Sequence, residues 1–481
     1  MKKAISILIS AACAAAMLPF GGCKSAAVPE YTADGKITVT AYAGPTVANW
    51  SGTSGNVNTV TDEHYSALAE AGFNKVLALH EGLSKESTLG MNVFDAIAKR
   101  SEQSEKDAMQ CLALAEKYNI TYYVRDWAFY GLTVNYPDFT NEEYERVINR
   151  MFSAENPYIR SSAYGGNFCH DEPDIHTMDK IAVQLRAYDN ALKKAGVTGK
   201  TAFVNLLPCY AAANHLDKEG KTSYAEYIDY YMKTLAPMLG YVCYDYYPLT
   251  YNHYTKSYIR ETYLYNLELV ATKAKENGVQ LRTFLQSIGE PQYGTRSLTG
   301  IGDLRLQAYT ELAFGSREII YYCYTSDSDD PGSGLINKKT GTFKPLYEAA
   351  KTMNNEIHAF EAAYTNFAWD GIMTYNGSEY DNQAFGYLES PLESHERIKE
   401  FTATKDAIMG TFKDKDGNDA FMIVNYTDPY FDEDNEVTVK FNNAKNILMW
   451  RGGQKIVVPL KSDGSYTFKL YPGEGRFVIP F

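Results

Sequence analysis

The segment GGNFCHDEPDIHTMDKIAVQLRAYDNALKKAGVTGKTAFVNLL, residues 165–207, decides how the chain reads. It opens on an apolar run over 165–170 of strand length, without polar alternation, as a strand buried on both faces would be. Two acids and a proline, Asp171-Glu172-Pro173, stop that run. A helical segment follows over 177–195 and closes at Gly196, and a second apolar run occupies 202–207. Strand, helix and strand in this order make the repeating unit of a parallel sheet covered by helices.

The same alternation extends in both directions, from residue 36 to about 364. Strand candidates are 37–43, 74–79, 121–126, 165–170, 202–207, 241–246, 281–286 and 318–324. Helical segments fall between them at 62–71, 105–118, 141–154, 177–195, 223–239, 258–277 and 302–315, with an eighth at 345–360. Eight such units close a (β/α)8 TIM barrel, an α/β fold. A doubly wound open sheet is the rival, but no G-x-G-x-x-G follows the first strand and no P-loop sequence occurs. From about residue 366 helical periodicity ends. Short runs at 408–413, 419–425, 436–441, 446–450, 455–459, 465–470 and 475–479 are separated by Asp-Gly, Gly-Gly and Pro-Gly turns. They predict a C-terminal antiparallel β-sandwich over 365–481, behind a catalytic barrel over 36–364.

The first 22 residues read as a signal peptide: Lys2 and Lys3, an Ala-rich apolar stretch, then Phe20-Gly21-Gly22-Cys23. That ending has the form of a lipoprotein cleavage box, with Cys23 as the lipidated residue and 23–35 as a tether. The expected location is extracytoplasmic, on the cell surface or in the periplasm, with the lipid as the sole membrane attachment. The five cysteines beyond Cys23 (Cys111, Cys169, Cys209, Cys243 and Cys323) are odd in number and unclustered. They read as inert thiols rather than a disulfide framework or a metal site. A net charge of −13 disfavours nucleic acid, whose phosphates need a basic surface. The 40 tyrosines supply flat amphipathic rings of the kind that stack on sugar faces.

A TIM barrel builds its site at the C-terminal ends of its strands. Read there, the sequence offers His80 after the second strand, Arg125-Asp126-Trp127 after the third, and His170-Asp171-Glu172 after the fourth. Asp245 and Tyr247 follow on the sixth, Gln286 on the seventh and Tyr324 on the eighth. Glu172 and Asp245 are the catalytic candidates, because an acid at an apolar, aromatic mouth can hold its proton to neutral pH and pass it to a leaving group. His80, Arg125, Asp126, Trp127, His170, Asp171, Tyr247, Gln286 and Tyr324 are candidates for holding substrate. Carboxylates, rings, amides and an arginine at one mouth suit a carbohydrate. No cofactor or metal is called for. Trp450 reads as a core residue of the sandwich, with sugar binding as the alternative.

These motifs resemble the (β/α)8 glycoside hydrolases of clan A, and more loosely the family 42 type with its C-terminal β-sandwich. The resemblance covers roughly residues 36–481. It rests on His170-Asp171-Glu172-Pro173, Tyr244-Asp245-Tyr246-Tyr247-Pro248 and Phe284-Leu285-Gln286, together with the stretch from Leu304 to Tyr309 and from Leu312 to Gly315 that leads into Ile319-Ile320-Tyr321-Tyr322. It implies an O-glycosyl hydrolase with Glu172 as general acid/base. The clan's usual Asn before that glutamate is Asp171 here, and its nucleophilic glutamate at the end of strand seven corresponds to Gln286. Three readings follow: Asp245 is the second carboxylate, Glu290 folds back to supply it, or the barrel binds carbohydrate without cleaving it.

Overall fold

The computed structural model describes residues 27–47, 55–78, 89–291, 294–378 and 382–481. Eight parallel strands form the barrel: β1 (Thr38–Tyr42), β2 (Lys75–Leu77), β3 (Thr121–Val124), β4 (Tyr164–Asp171), β5 (Phe203–Asn205), β6 (Tyr241–Tyr244), β7 (Gln280–Gln286) and β8 (Glu318–Tyr322). Their hydrogen-bonded order is β5-β4-β3-β2-β1-β8-β7-β6, and a parallel bridge between Leu206 and Tyr244 joins the two ends. The fold is the (β/α)8 TIM barrel followed by antiparallel sheets.

Among the described residues, eight longer helices surround the strands, with short four-residue ones between them: α1 (Asp62–Glu70), α2 (Val93–Lys117), α3 (Asn141–Met151), α4 (Ile175–Lys194), α5 (Tyr224–Thr234), α6 (Tyr263–Asn277), α7 (Ile301–Ala313) and α8 (Pro345–Tyr364). Side-chain oxygens of Thr61, Asn92, Thr140, Asp174 and Ser223 cap the first turns of α1 to α5. Thr140 and Ser223 form reciprocal capping boxes with Glu143 and Glu226. Three helices depart from their sequence-predicted limits. α2 begins well before residue 105 because Asn92 caps Phe94 and Asp95. The segment 223–239 breaks after Thr234, where Pro237 lacks the N–H that would continue the ladder. α6 starts at Tyr263 because Tyr258–Ile259 pairs with Leu249–Thr250 as a small hairpin.

Aromatic rings fill the barrel. Tyr42 lies 6.0 Å from Phe168 and 5.2 Å from Phe284, and Phe168 lies 5.2 Å from Phe203. Gly166, at φ +149°, is required in β4: a Cβ there would stand 1.7 Å from the Thr201 carbonyl oxygen. At the opposite end from the strand C-termini, Lys75 and Arg282 meet Glu318 at 2.7 and 3.3 Å. Burial alone would raise the Glu318 carboxyl, but the two cations hold it below its ordinary value. This cluster closes the barrel floor.

The C-terminal strands are β9 (Phe367–Tyr375), β10 (Ile398–Ala403), β11 (Ala407–Asp414), β12 (Asp419–Asn425), β13 (Asn435–Phe441), β14 (Asn446–Arg451), β15 (Gln454–Pro459), β16 (Ser465–Leu470) and β17 (Gly475–Pro480). A six-stranded sheet, β9-β11-β12-β17-β14-β15, faces a three-stranded sheet, β10-β13-β16. The larger sheet also packs on α7 and α8, so its outer face belongs to the same apolar core as the barrel. Gly410 makes this contact possible, since a Cβ would meet the Ala313 carbonyl oxygen at 2.1 Å. Trp450 is buried there beside Phe360 and Phe477, which makes it core. Cys111, Cys169, Cys243 and Cys323 are buried thiols, and Cys209 is a half-buried one.

Candidate active site

A cavity of about 490 Å³ opens at the C-terminal ends of the strands. Among the described residues, four carboxyl groups line it: Asp171, Glu172, Asp245 and Glu290.

Asp171 and Glu172 come from the end of β4. Asp171 accepts a hydrogen bond from the Tyr42 hydroxyl at 2.9 Å and another from Asn205 Nδ2 at 3.1 Å. The same Asn205 nitrogen donates to Asp245 Oδ1 at 3.1 Å, so one amide ties the ends of β4, β5 and β6 together. Glu172 then leaves the strand with φ +50°, a left-handed conformation that costs a side-chain-bearing residue roughly 1 kcal/mol or more. Its N–H donates to the Asn205 carbonyl at 2.9 Å, which holds the turn. The turn carries the Glu172 side chain into the cavity mouth, where the residue keeps access to solvent while its carboxyl is partly withdrawn from water.

Glu172 and Asp245 line the same cavity, close enough that the Glu172 charge raises the Asp245 carboxyl. Burial and the neighbouring Asp171 raise Glu172 to about 7, while the contact with Asp245 pulls the other way. Asp245 is wholly enclosed, and burial followed by repulsion from Glu172 and Asp171 pushes its carboxyl well above the ordinary range. Burial and mutual repulsion thus favour a proton on this pair of carboxyls.

Glu290 enters the cavity from the loop after β7, its backbone N–H bound to Thr295 Oγ1 at 2.9 Å. Burial, with Asp327 nearby, raises its carboxyl too. Tyr247 and Tyr322 form an aromatic wall, ring centroids 5.1 Å apart. Tyr210 and Arg260 stand together at the rim.

The structure thus brings Asp171, Glu172, Asp245 and Tyr247 to one cavity, and it places several other sequence candidates elsewhere. Gln286 is fully buried scaffold. Its Oε1 accepts from the Leu249 N–H at 3.0 Å, and its Nε2 donates to the carbonyls of Leu249 at 3.2 Å and Arg296 at 3.0 Å. No part of the amide remains for a substrate. Asp126 is also fully buried and caps the short helix Trp127–Tyr130, accepting from the N–H groups of Ala128 and Phe129 and from Ser101 Oγ. Tyr324 packs against Phe73 in the core, and the cavity takes Tyr322 instead. Arg125 lies over the rings of Trp127 and Tyr130 at 4.3 and 4.1 Å, a stack set back from the cavity lining. His170 is buried beside Tyr130, and burial lowers its pKa, so its imidazole is neutral. His80 and Cys23 lie outside the described residues.

Tyr42, Tyr210, His215, Arg260, Thr295 and Tyr322 also line the cavity and escaped the sequence reading. Tyr42 and Tyr322 end β1 and β8, so the strand-end rule that found Glu172 applies to them as well.

No family model and no curated protein matches the sequence. Solved structures do resemble the fold. One, described as a glycoside hydrolase, aligns over 92% of both chains with a TM-score of 0.50 and 12% identity. A glycoside hydrolase family 5 structure from Bacteroides vulgatus aligns over 94% of this chain and 89% of its own, with a TM-score of 0.51 and 12% identity. At that identity the likeness carries the architecture: this chain has the TIM-barrel fold of its glycoside hydrolase neighbours. What the barrel does rests on its own cavity.

Proposed function

We propose that the protein is a glycoside hydrolase that cleaves O-glycosidic bonds of an oligo- or polysaccharide, with Glu172 as the general acid. The observation that carries the proposal is a solvent-accessible carboxyl held protonated near neutral pH, in an aromatic-walled cavity that contains further carboxyls. A glycosidic bond needs a proton on its leaving oxygen and a carboxylate to meet the opposite face. Glu172 suits the first task. Asp245 suits the second poorly, because burial pushes its carboxyl well above the ordinary range and so disfavours the carboxylate that this task needs. Its role is to tune the Glu172 titration, which its contact draws downward against the rise from burial and Asp171. Glu290 is the carboxylate we assign to the opposite face, as nucleophile or as base toward water. Asp171, Tyr247 and Tyr322 hold the sugar.

The carbohydrate-binding alternative rested on Gln286 as a lost nucleophile. With that amide committed to Leu249 and Arg296, it says nothing about lost activity. We further assign the barrel, residues 36–364, as the reacting part, the segment 365–481 as its support, and Cys23 as the lipid anchor of an extracytoplasmic enzyme.

The test is release of reducing sugar from a panel of glycans. Glu172→Gln is expected to lower release about 10²–10⁴-fold, the usual contribution of a positioned acid. Unchanged release in this variant would refute the assignment.

A further inference from the structure

Among the described residues, the cavity holds one arginine, and its guanidinium has no acidic partner there. Arg260 lines the wall opened by the Leu249–Thr250/Tyr258–Ile259 hairpin. Its backbone is pinned on both sides: its N–H donates to the Pro248 carbonyl at 2.8 Å, and its carbonyl accepts from the Tyr263 N–H at 3.1 Å. The guanidinium lies over the Tyr210 ring at 4.3 Å. Its Nε is buried and makes no hydrogen bond, and no carboxylate of the described residues lies within ion-pair distance.

Three other enclosed arginines of the barrel each have an acidic partner. Arg282 meets Glu318 at 3.3 Å, Arg296 meets Asp303 at 2.7 Å and Arg305 meets Glu356. An arginine presents five N–H donors in a planar fork that matches a carboxylate. Stacking on a ring satisfies none of those donors. An arginine left in this state within a binding cavity is prepared for an anion brought by the ligand.

We propose that Arg260 reads the carboxylate of a uronic acid unit, which makes acidic glycans the substrate class. The inference rests on the glycosidase reading of the cavity and deepens it. A proton on the pair Glu172 and Asp245 lowers the negative charge that an acidic sugar would otherwise meet. Tyr210 sets the guanidinium plane, so the ring and the fork together define where the carboxylate lies.

The experiment measures calorimetric binding to the Glu172→Gln protein, which keeps bound glycans intact. The probes are oligogalacturonides, oligomannuronates and glucuronic-acid-bearing xylo-oligosaccharides, each beside its methyl ester, with neutral cello-, xylo- and manno-oligosaccharides and sulfated galactan fragments as controls. At least one uronide is expected to bind, and its methyl ester to bind at least about 10-fold more weakly, as befits loss of a charge-assisted pair. Adding Arg260→Gln should erase the difference between acid and ester, and Arg260→Lys should restore part of it. The acid–ester comparison needs no change at Arg260, so it stands even if those variants fold poorly. Binding of neutral oligosaccharides in preference to uronides overturns the inference and leaves the glycosidase reading intact. Binding of the sulfated fragments alone overturns the carboxylate assignment. If no glycan of any class binds here and the wild type cleaves none, the reading of the cavity falls and this inference falls with it.

Discussion

Glu172 carries the account because two local causes act on one carboxyl. Burial raises it first and the Asp171 charge raises it further, to about 7. Replacing Asp171 by Asn removes the like charge, so the Glu172 titration should move to lower pH by about half a unit to one unit, the ordinary span of one neighbouring charge. Carbon-13 NMR of the glutamate side-chain carboxyls, assigned with Glu172→Gln, would show it. An unmoved titration would mean that Asp171 does not set the proton. The sign for stability follows from the same shift. A carboxyl raised from 4.5 to about 7 binds more protons in the folded state across that window. Its contribution to stability is therefore lost as pH rises through the window. Denaturant unfolding at successive pH values should show this fall, and Glu172→Gln should make it shallower, the remainder coming from carboxyls such as Glu311, which burial raises to about 8. Glu172 was legible in the sequence because an apolar strand running into acids and a proline marks a barrel mouth. Asp126 and Tyr324 were misread because a strand-end position does not reveal whether a side chain is already engaged. Asp126 caps a helix that is four residues long, and the Tyr324 ring packs against Phe73.

The end of β7 shows the same limit for a whole strand. Its Gln286 amide joins β7 to Leu249 and Arg296, connections between segments that the sequence keeps apart. Gln286→Glu is therefore expected to destabilise the protein by about 2–4 kcal/mol, because a carboxylate would face two carbonyls that now receive N–H donors. Urea unfolding measures this, and gained glycan cleavage in that variant would contradict the scaffold role. The strands themselves were legible, since buried parallel strands are short continuous apolar runs. Helix limits were less so. α2 extends N-terminal of its predicted start on an Asn92 cap, and the small hairpin took the predicted first turn of α6. Tertiary pairing, rather than local propensity, placed those ends.

Across the whole molecule, the sheet β9-β11-β12-β17-β14-β15 completes the barrel's core instead of standing apart from it. Arg296 fastens the two parts, pairing with Asp303 at the start of α7 and with Asp428 beyond β12 at 3.1 Å. Asp428 also accepts from Ser257 Oγ at 2.6 Å, in the loop that precedes Arg260. Breaking a buried pair from one side is costly, so Asp428→Ala should lower stability by about 1–3 kcal/mol. Heat unfolding should nonetheless remain a single transition, and two separated transitions would contradict the shared core. The change of texture near residue 366 announced the sandwich, but nothing in the pattern announced which of its faces would be buried against helices.

The most direct test of the central claim is the pH dependence of reducing-sugar release by the wild-type protein beside Glu172→Gln. The account predicts a profile that falls on its basic side near 7, as Glu172 gives up its proton, and a variant whose residual release lacks that limb. Equal release by the two proteins across the range, or a bound glycan left uncut at every pH, would contradict it.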